Sequence, residues 1–196
     1  MKINGWKLIF VVVFTGLMSS GVIAEPLQGV SKAPKILNGA ETNISKWPWM
    51  AALITPGVGA FNGQFCGGTL ISNRWILTAA HCVTGETTAT IQVLLGHTRL
   101  SDATENDLRS ISQIMIHPSY SEETLDADIA LLELSQETTI TPIQTLGHYS
   151  LDNSAGITAT ALGWGNTSFG IDTFPDTLHE VDLPIVHDEL CAEGYD

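Results

Sequence analysis

Among six histidines, His81 stands apart through its surroundings. It follows the apolar-to-small run Leu77-Thr-Ala-Ala and precedes Cys82, which places it where a strand ends and the chain turns, exposed to a cleft. An imidazole in that position can accept a proton from a hydroxyl, provided that a second group fixes its tautomer and orientation. The other histidines, His97, His117, His148, His179 and His187, have no comparable setting and are read as ordinary surface or core residues. The acid that could orient an imidazole is sought in Asp126-Ala-Asp128, which opens the apolar run Ile129 to Leu134. Asp128 and Asp126, two residues apart, are read as lying on one face of a strand. On residue type alone, either is equally well a solvent-facing start to a strand.

The elements that would carry these groups are short and turn-bounded. Strands are expected at Gln64–Ser72, Trp75–Thr78, Thr88–Leu95, Ser110–His117 and Asp128–Leu134, and in a second set at Gly156–Leu162 and His179–Val186. Ser72-Asn-Arg74 reads as a tight turn, and Pro118 closes the strand before it because proline cannot donate to a ladder. No helical period runs through the region and strands do not alternate with helices, so the expected class is all-β, a barrel or a sandwich.

Five motifs in order resemble the trypsin-like (chymotrypsin-family) serine proteases. They are Lys35-Ile36-Leu-Asn-Gly39, Trp47-Pro-Trp49 with the strand after it, Phe65-Cys66-Gly-Gly through Leu77-Thr-Ala-Ala-His81-Cys82, Asp128-Ile-Ala-Leu131, and Gly163-Trp-Gly165 followed by Leu183-Pro-Ile-Val186 and Cys191. The resemblance runs from Lys35 to about Cys191. It implies a double β-barrel with the first barrel complete and the second incomplete. His81 would be the general base and Asp128 its orienting acid, with Asp126 as runner-up. It implies a bridge between Cys66 and Cys82 that fixes the histidine's corner, worth about 3 kcal/mol in the chain-entropy model, and a Cys191 left unpaired. It implies activation by cleavage between Lys35 and Ile36; Asn38 departs from the usual paired glycines but also adopts turn conformations. Substrates would be proteins or peptides, protease inhibitors are possible partners, and no cofactor or metal is implied.

The amino terminus carries an export pattern. Lys2 and Lys7 precede Leu8–Phe14, and Val22-Ile-Ala24 supplies small residues at a cleavage position. The whole stretch from Leu8 to Ile23 is diluted by Thr15, Gly16, Ser19, Ser20 and Gly21 and falls short of the roughly 20 residues that span a bilayer. The expected organisation is a signal peptide over 1–24, a pro-segment over 25–35 and a peptidase domain over 36–196, with a secreted product that leaves no membrane anchor. The formal charge of −13, from 8 basic and 21 acidic residues, argues against nucleic acid as a partner, since phosphate neutralisation needs lysine and arginine. The acidic turn around Asp102, Glu105 and Asp107 could hold calcium, but its spacing matches no dedicated loop and it is read as solvated.

A nucleophile is harder to find. After Asp128 the serines are Ser135, Ser150, Ser154 and Ser168, and none has the glycine-rich context that builds an oxyanion hole. Gly-Asp-Ser-Gly-Gly does not occur. The resemblance therefore implies an endopeptidase whose serine-bearing segment lies outside these residues, the 196-residue chain itself being inactive. The alternative is a protease-like binding protein without catalysis, or a truncated relic.

Overall fold

The computed structural model describes residues 39–145, 156–168 and 173–187. Nine strands lie in these segments: β1 (Ala40–Glu41), β2 (Met50–Ile54), β3 (Gln64–Leu70), β4 (Trp75–Thr78), β5 (Gln92–Leu95), β6 (Leu108–Ile116), β7 (Ala130–Leu134), β8 (Thr158–Gly163) and β9 (His179–Pro184). One helical turn, α1 (Ala60–Gly63), and three short 3-10 turns complete the regular structure. The class is all-β.

Strands β2-β3-β4-β7-β6-β5 close into a six-stranded antiparallel barrel. Closure removes the exposed strand edges that would otherwise recruit other chains. The alternation of β7 shows how the sequence fills it: Ala130, Leu132 and Leu134 are buried while Leu131 and Glu133 are half-buried between them. Leu53, Leu70, Ile76, Val93 and Leu132 meet in the barrel interior. Two register shifts, at Leu53/Ile54 and Ile111/Gln113, bend the strands that have to turn the barrel's corners.

A second, three-stranded sheet has the order β1-β9-β8. It is joined to the barrel through an apolar cluster that includes Met50, Ile54, Leu94, Leu100, Trp164 and Leu178. Backbone bonds stitch the same junction, with Leu178 N donating to Thr98 O at 2.8 Å and Leu100 N to Asp176 O at 3.0 Å. Trp164, in the Gly163-Trp-Gly165 motif, buries its ring there and satisfies its indole N–H on Thr98 O at 3.1 Å.

Most expected strands appear with trimmed ends. Thr88–Leu95 shortens to β5 because Glu86, Thr87 and Thr90 hydrogen-bond among themselves as a turn. The strand expected from Asp128 begins instead at Ala130. Signal, pro-segment, Lys35, Ile36 and Cys191 lie outside the described residues, as do Ser150 and Ser154.

Candidate active site

Antiparallel pairing of β4 with β7 puts Thr78 opposite Ala130. His81 therefore sits three residues beyond the end of one strand, and Asp128 two residues before the start of its neighbour, at the same end of the barrel. The chain from Ala79 turns immediately into a 3-10 turn over Ala80–Cys82, whose small residues let Ala80 bury completely. Val83 N and Thr84 N both bond to Ala80 O at 3.0 Å, and Thr84 Oγ1 donates to the same oxygen at 2.9 Å. Thr78 Oγ1 anchors the strand before it by donating to Gly67 O at 2.8 Å. Cys82 is disulfide-bonded to Cys66 on β3, with their Cα atoms 6.1 Å apart, so the turn is tied to a third strand.

Asp128 meets His81 twice. Its Oδ1 accepts the His81 backbone N–H at 2.8 Å, and its Oδ2 lies 2.6 Å from His81 Nδ1. Burial alone would push the Asp128 carboxyl upward. The hydrogen bonds from the His81 ring and backbone, the attraction of its charge and the Ala80 backbone N–H together outweigh burial and hold it below the ordinary carboxylate value. An ionised Asp128 accepts only, so Nδ1 carries a proton and the Nε2 lone pair of the neutral ring is free to accept another. Nε2 faces the disulfide, 3.5 Å from Cys82 Sγ. Tyr120 packs against the barrel core beside this pair. Its own burial and the negative charge of Asp128 push its phenol upward.

The loop before β7 is why Asp128 and not Asp126 arrives there. Leu125 and Ala127 have φ of 57° and 51°, the left-handed region that non-glycine residues adopt at a cost. Ile129 N closes back on Ala127 O at 2.7 Å, a three-residue turn centred on Asp128. Asp126 is not on a shared strand face, as its two-residue spacing had suggested. It belongs to the turn, where its Oδ2 accepts Thr124 Oγ1 at 2.7 Å. The left-handed Ala127 between them rotates the two carboxylates apart.

The remaining candidate residues fall elsewhere. Ser135 follows β7 at the end of the strand away from His81, its N–H bonded to Ser110 O. Ser168 lies in the loop between β8 and β9, bonded to Asn166 Oδ1 at 2.9 Å. Among the described residues no serine hydroxyl is hydrogen-bonded to His81. Asp107 is committed to its own turn, accepting Thr104 N at 2.8 Å and Thr104 Oγ1 at 2.7 Å, with Glu105 exposed in the same turn and Asp102 exposed in the one before it.

The Trypsin family model matches residues 36–196. The chain belongs to the trypsin family. Among relatives, a salmon (Salmo salar) trypsin-3 is 35% identical over 82% of this chain and 64% of its own length. Brachyurin of Leptuca pugilator is 36% identical over 82% of this chain and 69% of its own. A trypsin of Saccharopolyspora erythraea is 32% identical, over 82% and 68%. The solved structure of Vibrio cholerae VesB protease superposes with a TM-score of 0.71 at 34% identity, covering 80% of this chain and 47% of that one. Against the salmon enzyme, this trypsin-family chain spans just under two thirds of the relative's length. Among the described residues, no helix is long and apolar enough to cross a membrane.

Two residues that sequence reasoning missed hold this corner, Ala80 through its backbone and Thr78 through its side-chain hydroxyl. Ala80 offers its N–H to Asp128 and its carbonyl to the turn that presents His81. Thr78 pins the strand end. The placement of β4 between β3 and β7 makes these contributions visible.

Proposed function

We propose that this chain carries the base and the orienting acid of an exported serine endopeptidase that hydrolyses peptide bonds in proteins or peptides. The observation that supports this most is the double contact of Asp128 with His81 at a disulfide-tied corner. Asp128 holds the ring with Nδ1 protonated, leaving Nε2 to take the proton of a serine hydroxyl as its oxygen attacks the scissile carbonyl. The imidazolium so formed is stabilised by the Asp128 charge and returns the proton to the departing amine. Water, activated by the same nitrogen, then releases the acyl group. The family's membership in serine proteolysis and the absence of any glycine-framed serine after Asp128 support a nucleophile and oxyanion donors supplied by residues beyond these 196.

In the same reading Met1–Ala24 directs export and Lys35–Ile36 is the activating cleavage, the motifs Lys2/Lys7 with Leu8–Phe14 and Lys35-Ile-Leu-Asn-Gly39 being its support. Amino-terminal sequencing of active, secreted material tests this arm. A start at Ile36 is expected, and a start at Glu25 in fully active protein overturns the zymogen step. Hydrolysis of a peptide amide by the native gene product, lost in His81→Ala, tests the catalytic arm.

A further inference from the structure

The side of His81 that faces away from Asp128 is lined by sulfur. Cys66 Sγ, Cys82 Sγ and His81 Nε2 all lie within 4.8 Å of one another. We propose that reduction of the Cys66–Cys82 bond turns this corner into a zinc site, with two thiolates and the His81 Nε2 as protein ligands and a fourth position open to water.

Three observations carry this. The first is donor chemistry: two cysteines and one histidine are a zinc donor set, and one open position is what exposed three-ligand sites retain. The second is spacing. Zn–S of about 2.3 Å and Zn–N of about 2.0 Å in a tetrahedron set neighbouring sulfur and nitrogen donors about 3.5 Å apart. Cys82 Sγ and His81 Nε2 are already separated by 3.5 Å. Reduction has only to let the two sulfurs part to a non-bonded distance. The third is the outer shell. Metal-bound imidazoles donate their second ring N–H to a carboxylate, which fixes the tautomer and raises the basicity of the ligating nitrogen. Asp128 Oδ2 holds His81 Nδ1 in that way at 2.6 Å. The site is also reachable: His81 is exposed and Cys82 half-buried, while Cys66 is the buried anchor.

The chemistry balances without any hidden partner. A dithiol reductant gives two electrons and two protons to the Cys66–Cys82 bond and becomes a disulfide, leaving two protein thiols. Zinc displaces both thiol protons to solvent and takes the Nε2 lone pair of the neutral ring, so its two charges are matched by two thiolates. The lone pair that proteolysis needs is then occupied. This consequence, an inactive state in reducing surroundings that re-oxidation reverses, rests on the proposed role of His81. The metal site itself does not.

The test uses the 196-residue chain, reduced with a dithiol, desalted anaerobically and titrated with cobalt(II) as a spectroscopic substitute for zinc. The expected result is one equivalent bound, with thiolate-to-cobalt charge transfer and tetrahedral d–d bands, and none in the oxidised chain. Asp128→Asn should weaken binding about 10–100-fold, and His81→Ala, which removes a ligand outright, by more than that. Cys191→Ser should leave the spectrum unchanged. Ring-nitrogen NMR of His81 provides a second reading, in which zinc shifts Nε2 while the Nδ1 proton stays on its bond to Asp128. Equal binding by the oxidised chain, a spectrum unaltered by His81→Ala, or one abolished by Cys191→Ser overturns the site. So does a reduced chain that is unfolded by circular dichroism and binds cobalt no differently in urea.

Discussion

Thr78 and Ala130 face one another across the β4–β7 ladder, and the residues just beyond them on each strand are His81 and Asp128. A separation of 47 residues along the chain thus collapses to 2.6 Å between side chains, and to 2.8 Å between the Asp128 carboxylate and the His81 backbone. The backbone contact adds to the ring contact. It fixes the carboxylate against the turn itself, so the imidazole meets an acceptor that is already in place.

Replacing that acceptor's charge should be far more damaging than altering its neighbour. If the native gene product is the serine endopeptidase proposed above, Asp128→Asn is expected to lower its kcat by about 10⁴, the size seen when a triad acid becomes an amide. Asp126→Asn, whose carboxylate bonds among the described residues to Thr124 Oγ1 within its own loop, should change kcat by less than about tenfold. Steady-state peptide hydrolysis by the two variants checks the pair. A larger loss in Asp126→Asn would reverse the assignment.

Acid should weaken the fold through a small set of carboxylates. Asp128 and Asp176 are pushed up by burial, but hydrogen bonds, from His81 and from Ser101 respectively, hold both below the usual 3.8. Glu180 is held below 4.5, chiefly by Lys46. Because these values are depressed in the folded chain, the stabilisation is complete above the unfolded values and drains as pH falls through the folded ones, below about pH 4. Urea denaturation at about pH 7 and about pH 3 should therefore differ less in Asp128→Asn than in the unaltered chain. An equal or larger difference in the variant would show that Asp128 does not contribute.

The bridge at the corner closes a sequence separation of 16 residues. Loops of that size are worth about 3 kcal/mol in the chain-entropy model, so Cys66→Ala/Cys82→Ala together should lower stability by roughly that amount. Differential scanning calorimetry reads the change directly. An unchanged Tm would mean that the turn over Ala80–Cys82 is held by its hydrogen bonds alone.

Gly68 has no room for a side chain. A Cβ built there would lie 2.7 Å from Ile76 Cγ2 and 3.1 Å from Leu77 O on the neighbouring strand. Gly68→Ala should cost about 1–3 kcal/mol through overpacking and push apart the β3–β4 pair that precedes His81. Chemical denaturation measures it, and a neutral substitution would show that β4 moves without penalty.

Much of this was legible in the sequence because it is written in local pattern. Trp75–Thr78 reads as a strand from end to end, and small residues before His81 mark a chain about to turn. The Asp128 loop was not legible, since a two-residue spacing implies a shared strand face only if the backbone stays extended. Leu125 and Ala127 break that condition by adopting positive φ, a conformation that their residue types do not advertise. The start of β5 was misplaced for a related reason: Thr88 and Thr90 suit a strand by propensity, yet the Thr90 hydroxyl bonds locally to Glu86 and Thr87 and makes a turn. The junction at Thr98, Trp164 and Leu178 was invisible because its bonds join residues more than sixty positions apart.

The central claim, that His81 activates a serine not contained in these residues, is tested most directly by phosphonate labelling of the native gene product followed by peptide mapping. The expected result is one adduct, on a serine outside the 196-residue sequence, that disappears in His81→Ala. An adduct on Ser135, Ser150, Ser154 or Ser168, or labelling that proceeds at full rate without His81, would contradict it.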